Sequence, residues 1–523
     1  HGDAGAYLGM GTSLSFAEMG RLSAAFGAWL QAQGLRRGDR VALMMPNVLA
    51  YPVATAAVLR AGFVVVNVNP LYTPRELEHQ LLDSGASAIV VLENFAATVQ
   101  QVLERLSEKL LIVVVALGDL QPTWRRILVN QMVRRVKKLV PRWHLPACFS
   151  FTQALKEGGG MTLSKADLKP SDLAVLQYTG GTTGISKGAM LLHSTIIANL
   201  LTSEAWMQPG LKRKGTTGQL TIVCALPLYH VFAFITCGLL GLRTGARNLL
   251  IANPRDLSQT IATLKPHRLH IFPGVNTLFN GLLNHPEFAT LDFSELVITN
   301  GGGTAVQENV AADWLRTTGC PIVEGYGLTE TCSGVTCNPA DTLSFTGTVG
   351  LPLPNVSIRV IDDEGQDVRA GHAGEVAIKG PQVMAGYWQR PEETKEAMTE
   401  DGYFKTGDIG TMDECGYIRI VDRKKDMILV SAFNVYPTEI EAVVASHPGV
   451  LECAAVGVPD EKTGEAVKLF VVRKDPALSE RALAVFCAGQ LTAYKRPKVI
   501  EFKDSLPKSN VGKILRRELR ESA

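Results

Sequence analysis

The sequence predicts an α/β protein with three parts: a large N-terminal region of several α/β subdomains, a smaller barrel-like β subdomain, and a C-terminal α+β domain. From Ser15 to about residue 300, helical stretches such as 16–33 alternate with short β-branched runs such as 64–68 and 88–92. This alternation is typical of parallel strands covered by helices. After Thr346 the hydrophobic runs shorten and turns separate them, which indicates the β subdomain.

The C-terminal part of the chain has its own pattern. A charged stretch at 422–426 precedes two helical patterns, 437–446 and 479–491, which lie among β-branched runs. A module of about one hundred residues with this mixture can form its own core. We therefore divide the chain into an N-terminal domain, residues 1–421, and a C-terminal domain, residues 422–523.

Length and composition bound the class of protein. The chain has 523 residues, which is too long for a single hydrophobic core and indicates two or three domains. Its 46% hydrophobic and 20% charged residues are typical of folded proteins. A net charge of +2 argues against a nucleic-acid partner. The nine cysteines form no CxxC pair, which favours free thiols in a reducing compartment and hence a cytoplasmic location.

The sequence carries no targeting or membrane-spanning pattern. No run of eighteen uncharged apolar residues occurs. The opening residues His1-Gly2-Asp3 lack both an initiator methionine and a basic, apolar signal. We therefore expect that the chain begins inside a longer protein.

A glycine-rich loop has the parts of a polyphosphate site. The stretch 178–188 reads YTGGTTGISKG and follows an apolar run that is predicted to be a strand. Glycines let backbone N–H groups approach phosphate oxygens, and a lysine adds positive charge. The candidate residues are Tyr178, Thr179, Gly180, Gly181, Thr182, Thr183, Gly184 and Lys187. A P-loop does not fit, because Ser186 precedes the lysine and Gly188 follows it, whereas a flexible surface loop stays open.

A second segment, 324–331, reads EGYGLTET and combines an aromatic ring, glycines, hydroxyls and a carboxylate. A carboxylate beside a triphosphate is useful mainly when it holds Mg²⁺, because an unpaired negative charge would repel the ligand. This favours Glu330 as a metal ligand and Tyr326 as a surface for a purine. The alternative is a turn with a capping threonine.

Four single residues are weaker candidates. His230 lies in the apolar segment PLYHVFAF, where a histidine is more often part of the core than a catalyst. Asp408 is suited to accept hydrogen bonds from ribose hydroxyls, although a turn explains it more easily. Arg423 and Lys513 have other basic residues nearby, and spacing alone predicts only surface charge for them.

The segment 124–143, which reads WRRILVNQMVRRVKKLVPRW, differs from the rest of the chain. On a helix, Leu128, Met132, Val136 and Leu139 share one face, and dense positive charge occupies the others. Two interpretations stay open. The apolar face packs on the domain, or it contacts an anionic membrane and makes the protein peripheral on the cytoplasmic membrane face.

Six motifs, in this order, resemble the acyl-adenylate-forming superfamily. They are YTGGTTGISKG, PLYHVFAF, EGYGLTET, KTGDIG, IRIVDRKKDMILV and PKSNVGKILRREL. The resemblance runs from about Leu14 to the end of the chain, and the stretch 402–430 is similar to the signature of fatty acyl-CoA synthetases. Within the superfamily, the chain looks like the bacterial long-chain fatty acid CoA ligases.

The resemblance implies ATP, Mg²⁺ and coenzyme A as cofactors or co-substrates, and a fatty acid as substrate. The acid first displaces pyrophosphate from ATP, and the thiol of coenzyme A then displaces AMP. Thr182 and Glu330 are implied as Mg²⁺ ligands, and Lys513, His230 and Glu330 as catalytic residues. Besides the loop 178–187, the implied nucleotide-binding positions are Gly302, Gly303, Glu324, Gly325, Tyr326, Thr329, Asp408, Arg423 and Lys425.

The resemblance also implies that the C-terminal domain is mobile. Lys425 occupies the hinge position, and Lys513 assists only the first step because rotation of the domain withdraws it before the second. Ala432 stands where similar chains usually have glycine, and we expect it to weaken the second step. An acyl-AMP ligase and a ligase for medium-chain or aryl acids remain alternatives, and a homodimer is left open.

Overall fold

The computed structural model describes residues 2–106, 109–179, 186–431, 433–509 and 512–521, and they contain four sheets. The first sheet has seven strands, all parallel to their neighbours except for one antiparallel pair at the end. In spatial order the strands are Cys148–Ser150, Leu111–Val115, Ala86–Leu92, Arg40–Met44, Val64–Asn67, Leu173–Tyr178 and Gly188–Leu192.

The second sheet has nine strands and a parallel centre. Antiparallel pairs occur at its two ends, whereas the strands between them are parallel. In spatial order the strands are Leu351–Pro352, Ser333–Cys337, Ile322–Leu328, Ile298–Gly301, Ile271–Gly274, Thr221–Cys224, Arg247–Leu250, Gly5–Gly9 and Thr12–Ser15.

The smaller β subdomain is an antiparallel sheet of four consecutive strands, Ser357–Ile361, Gly374–Lys379, Phe404–Met412 and Ile418–Arg423. The C-terminal domain has a sheet in the order Phe433–Val435, Ile428–Val430, Gly464–Arg473 and Val450–Asp460, and Val499–Phe502 pairs in parallel with the third of these. The predicted boundary at 421/422 lies inside the strand Ile418–Arg423, and it stays a prediction.

Helices cover these sheets. The α-helices are Phe16–Ala32, Ala50–Arg60, Pro74–Ser84, Ala96–Leu103, Thr123–Gln131, Phe151–Gly158, His193–Lys214, Val231–Ala233, Leu240–Thr244, Leu257–Leu264, Asn276–Leu283, Glu308–Thr318, Pro391–Glu396, Pro437–Ala445, Glu480–Gln490 and Arg516–Glu521. The 3₁₀ helices are Glu93–Phe95, Phe288–Thr290, Thr329–Thr331 and Ala493–Lys495, and π-helical turns occupy Met132–Val136 and Phe234–Leu239.

The first long helix shows why the predicted alternation is confirmed. Its N-terminus is closed by a capping box, in which Glu18 N donates to Ser15 Oγ and Ser15 N donates to Glu18 Oε2. Phe26 and Trp29 are fully buried on its inner face. The predicted runs 64–68 and 88–92 are likewise strands, Val64–Asn67 and Ala86–Leu92. The alternation of helical stretches and β-branched runs therefore predicted these elements to within two residues.

The segment 124–143 lies on the surface with its apolar side outward. It forms the helix Thr123–Gln131 and then the turn Met132–Val136. On the opposite side, Val133 is buried and Arg134 forms an ion pair with the buried carboxylate of Glu93 at 2.7 Å. The exposed apolar side chains are Trp124, Ile127, Leu128, Met132, Val136 and Leu139, with exposures from 38% to 75%. Among the described residues, no helix is both long and apolar enough to cross a membrane.

Candidate active site

Four neighbouring parallel strands of the nine-stranded sheet end at one edge. In spatial order they are Ile322–Leu328, Ile298–Gly301, Ile271–Gly274 and Thr221–Cys224. Segments that follow the carboxyl ends of such strands converge, and ligands of α/β proteins usually bind there. Three sequence motifs follow these ends, and they contain His230, the glycines 302 and 303, and Glu330. The topology therefore brings together residues that are about one hundred positions apart in the chain.

Gly302 lies where these three motifs meet. A Cβ atom added at this position would lie 3.2 Å from the ring of Phe232 and 3.3 Å from the carbonyl oxygen of Gly325. The next residue, Gly303, has φ of +75°, which a side chain rarely adopts. The two predicted glycines and Gly325 therefore keep a narrow space between backbone segments.

Asp408 and Arg423 form the candidate ribose site. Arg423 Nε donates to Asp408 Oδ1 at 2.9 Å, and the hydroxyl of Tyr326 donates to Asp408 Oδ2 at 2.6 Å. The Asp408 side chain is only 4% exposed. A carboxylate has about four acceptor positions, so two remain for a pair of hydroxyls. The predicted aromatic residue, aspartate and arginine are thus in direct contact, although they lie in three separate motifs.

Glu330 has surroundings that suit a Mg²⁺ ligand. Its Oε1 accepts a hydrogen bond from Tyr387 Oη at 2.8 Å, and burial raises the pKa of the carboxyl. A nearby cation would stabilise the charged form that burial disfavours. Among the described residues, no group of three or more histidine, cysteine or acidic side chains could hold a metal. Mg²⁺ is usually held by one or two carboxylates together with substrate phosphates, and Glu330 can supply one such carboxylate.

The predicted phosphate loop is described only at its two ends. Gly180, Gly181, Thr182, Thr183 and Gly184 lie outside the described residues, as does Ala432. Thr179 N donates to Lys187 O at 2.9 Å, which pairs the ends of the loop. Lys187 Nζ forms an ion pair with Glu393 at 2.7 Å and lies over the ring of Tyr387. The Lys187 cation is therefore near Glu330, because Tyr387 contacts both.

Tyr178 is buried at the end of the strand that precedes this loop. It is 6% exposed, and its hydroxyl donates to Asp83 Oδ2 at 2.7 Å. Asp83 also forms an ion pair with Arg390 at 2.7 Å. These contacts tie the segment around Tyr387 to the seven-stranded sheet.

Lys513 and His230 lie on different domains but interact electrostatically. Burial, and secondarily the Lys513 cation, lowers the pKa of His230 to about 4. Burial and the Arg423 cation lower the pKa of Lys513 to about 8, against the opposing effect of Asp408. The histidine is therefore neutral at pH 7, whereas the lysine is mostly charged. The two predicted residues meet at the same edge of the sheet.

Three further predicted nucleotide-binding residues are Glu324, Thr329 and Lys425. Glu324 Oε1 accepts a hydrogen bond from Val306 N at 3.0 Å, and burial raises the pKa of Glu324 to about 7. Thr329 begins the 3₁₀ helix that also contains Glu330. Lys425 is exposed between the strands Ile418–Arg423 and Ile428–Val430. The nucleotide-binding roles of these residues stay predictions.

Two contacts were missed from the sequence. Tyr387 lies in a segment that pairs with the strand Gly188–Leu192, since Ala385 N donates to Met190 O at 3.0 Å and Trp388 N donates to Gly188 O at 2.8 Å. In the C-terminal domain, Arg516 binds Glu441 through two nitrogens, at 2.6 and 3.0 Å. The adjacent glycine, tyrosine and tryptophan at 386–388 were the available signal for the first contact.

Comparisons with known proteins agree with this geometry. Residues 1–388 match the family model of the AMP-binding enzyme, and residues 439–513 match that of the AMP-binding enzyme C-terminal domain. The chain is 53% identical to a long-chain-fatty-acid–CoA ligase of Escherichia coli O157:H7, over 100% of this chain and 92% of the relative.

Solved structures are similar over the whole chain as well. The anthranilate CoA ligase AuaEII in complex with anthranoyl-AMP has a TM-score of 0.87 and 25% identity, over 100% of this chain and 94% of that one. ATP-bound MatB from Rhodopseudomonas palustris has a TM-score of 0.83 and 29% identity, over 99% and 96% of the two chains.

Proposed function

The chain belongs to the AMP-binding enzyme family, and from this membership and the geometry of the site we propose that it is a long-chain fatty acid CoA ligase. The observation that carries the proposal is the 53% identity to a curated ligase of that name along the full chain. The contact of Asp408 with Arg423 and Tyr326 supports the nucleotide-binding part of this proposal independently, because it brings three motifs together around one buried carboxylate.

In the first half-reaction, a carboxylate oxygen of the fatty acid attacks the α-phosphorus of ATP. The new P–O bond gives an acyl-adenylate, and the bond to pyrophosphate breaks. Lys513 stabilises negative charge on the acid and the α-phosphate, which is an electrostatic role. Neutral His230 donates or accepts a hydrogen bond near the carboxylate, and Asp408 binds the ribose hydroxyls.

In the second half-reaction, the thiolate of coenzyme A attacks the acyl carbonyl carbon. The thioester C–S bond forms, and the C–O bond to AMP breaks. Adenylation is needed because a carboxylate is a poor acceptor for a nucleophile, whereas AMP is a good leaving group. Departure of Lys513 with the C-terminal domain frees the face that coenzyme A approaches.

Glu330 and Thr182 would hold the Mg²⁺ ion, which would neutralise charge on the ATP phosphates. Lys187 adds a second positive charge at the same place. Lys187 is paired with Glu393 at 2.7 Å. Phosphate oxygens of ATP would compete with this carboxylate for the lysine.

The decisive experiment measures AMP, pyrophosphate and acyl-CoA with ATP, Mg²⁺ and a series of acids, with and without coenzyme A. The series contains long-chain and medium-chain fatty acids and an aryl acid such as benzoate. Formation of acyl-CoA and AMP, fastest with long chains, supports the proposal. Accumulation of acyl-adenylate in the presence of coenzyme A would favour an acyl-AMP ligase. Faster reaction with medium-chain or aryl acids would instead favour a ligase for those acids.

The segment 124–143 gives this enzyme a contact with an anionic membrane, on the cytoplasmic side. Its apolar side chains face outward, and Arg135, Lys137 and Lys138 are exposed beside them. An interfacial helix has this combination of apolar and basic sides.

All nine cysteines lie within the described residues and are free, which agrees with a reducing compartment.

A further inference from the structure

The backbone just before Lys513 is held by a side chain of the N-terminal domain. Thr277 Oγ1 donates a hydrogen bond to the carbonyl oxygen of Gly512 at 3.1 Å. Thr277 lies in the first turn of the helix Asn276–Leu283, which follows the strand Ile271–Gly274. The bond therefore links the sheet edge of the candidate site to the residue adjacent to Lys513.

The contact with Thr277 leaves no room for a side chain at Gly512. It has φ of +80°, in the left-handed region that favours glycine. A Cβ atom at this position would lie 2.4 Å from Thr277 Oγ1 and 3.4 Å from a methyl group of Val275. Any side chain at 512 would thus push the lysine-bearing backbone away from the N-terminal domain.

Thr277 is itself fixed relative to the site. The residue before it, Asn276, accepts a hydrogen bond through Oδ1 from Gln307 N at 3.0 Å. Val275 lies 3.7 Å from the position that a Cβ atom of Gly303 would occupy. The start of the helix is therefore packed against the loop that carries Gly302 and Gly303.

Other hydrogen bonds between the domains are longer or lie elsewhere. Asn280 Nδ2 donates to Leu451 O at 3.3 Å, and Asn309 Nδ2 donates to Ala445 O at 3.3 Å. Both acceptors belong to elements of the C-terminal domain that are distant in sequence from Lys513. A further bond, from Arg255 to the carbonyl oxygen of Ser509 at 3.5 Å, reaches the same turn as Lys513. The Thr277 bond differs because it is shorter and acts on the residue adjacent to the lysine.

We propose that Thr277 is a positioning residue for adenylation: its hydroxyl fixes the backbone at Gly512, so that the Lys513 ammonium enters the site in the first half-reaction. The inference rests on the proposed function, because it assigns Thr277 to the half-reaction that uses Lys513. The bond must break when the C-terminal domain moves, so Thr277 contributes nothing to thioester formation.

The test measures the two half-reactions separately in Thr277→Val, Thr277→Ser and wild-type enzyme. Adenylation is followed by fatty-acid-dependent exchange of labelled pyrophosphate into ATP, and thioester formation by reaction of synthetic acyl-adenylate with coenzyme A. Loss of one neutral hydrogen bond predicts a roughly three- to ten-fold slower adenylation in Thr277→Val. Thr277→Ser retains the hydroxyl and is expected to recover most of this rate, with unchanged thioester formation in all variants.

Thr263→Val is the matched control. Thr263 Oγ1 donates to Gln259 O at 2.8 Å within its own helix, Leu257–Leu264, so its loss should change neither rate. Equal losses in both half-reactions of Thr277→Val, or no recovery in Thr277→Ser, would overturn the positioning role. If wild-type enzyme shows neither half-reaction, the proposed function fails, whereas an active wild type with an unaffected Thr277→Val excludes only this inference.

Discussion

Asp408 and Arg423 occupy opposite positions on neighbouring antiparallel strands, and their side chains form an ion pair at 2.9 Å. Arg423 contacts one carboxylate oxygen of Asp408, while Tyr326 donates to the other. The strand register and these two donors thus fix the orientation of the carboxylate. Preorganised acceptors lose little entropy on binding, so this pair should contribute mainly to ATP affinity.

Asp408→Asn should raise the KM for ATP about ten- to one-hundred-fold, because hydrogen bonds to a charged acceptor are worth about 1.5–3 kcal/mol. The KM for the fatty acid should change far less. Steady-state kinetics with one substrate varied at a time make the comparison. Asp313→Asn removes an exposed i,i+3 partner of Arg316 and serves as control. An unchanged KM for ATP would contradict the assignment of Asp408 to the ribose.

Adenylation should lose rate as the pH rises through about 8. The pKa of Lys513 is lowered to about 8, so the ammonium form is complete well below this value and disappears above it. Pyrophosphate exchange measured from pH 6 to 10 should therefore show a falling limb near pH 8. Lys513→Arg should move that limb to higher pH, since a guanidinium stays charged.

Thioester formation from synthetic acyl-adenylate provides the contrast. It should be retained in Lys513→Ala, whereas adenylation should be lost. A limb near pH 8 that persists in adenylation by Lys513→Arg would show that another group titrates there.

Glu324→Gln should stabilise the protein at neutral and alkaline pH. Burial raises the pKa of Glu324 to about 7, so the folded state retains a proton that the unfolded state releases near pH 4.5. The stabilising contribution of the protonated carboxyl is complete below the unfolded pKa and is lost as the pH rises through 7. A neutral amide does not titrate, so the variant does not lose this stability. The gain in unfolding free energy at pH 8 is at most about 3 kcal/mol.

Urea unfolding of both proteins from pH 4 to 8 measures the effect. The difference in unfolding free energy should be small at acid pH and should grow toward alkaline pH. A constant difference across the range would show that Glu324 keeps an ordinary pKa in the folded protein.

Replacing Arg135, Lys137 and Lys138 with glutamine should weaken binding to anionic vesicles. Each basic residue near an anionic surface contributes about 1 kcal/mol, so the triple variant should lose on the order of one-hundred-fold in affinity at low salt. Sedimentation with vesicles that contain phosphatidylglycerol measures this, and vesicles of phosphatidylcholine should bind both proteins weakly.

The control replaces three exposed lysines outside the segment, Lys156, Lys165 and Lys169. It has the same change in net charge and should bind nearly as well as wild type. Equal losses in the two triple variants would attribute binding to overall charge and not to the segment 124–143.

Periodicity and motifs predicted the architecture more completely than the contacts of the site. The helical stretch 16–33 and the β-branched run at 64–68 are local signals, and local signals determine helices and strands. The motifs also predicted that Tyr326, Asp408 and Arg423 serve one site. Their contact depends on the register of the strands Phe404–Met412 and Ile418–Arg423, which no local signal specifies.

Two features could not be predicted for physical reasons. Helical periodicity in 124–143 shows that one face of the helix is apolar and the other basic, but it does not show which of the two packs against the domain. The bond from Thr277 to Gly512 joins residues 235 positions apart, in two domains, through a threonine that has no unusual neighbours in sequence. Such contacts arise from tertiary packing alone.

The outward apolar face of 124–143 has a practical consequence for the purified protein. In water this face leaves Leu128 and Val136 exposed, by 57% and 75% of their surface. Two molecules can bury these side chains by packing this face against each other. Oligomers seen in detergent-free solution would then report on hydrophobic self-association and not on subunit architecture. Mass measurements with and without a mild detergent would separate the two, and enzyme stocks should be stored with lipid or detergent to limit aggregation.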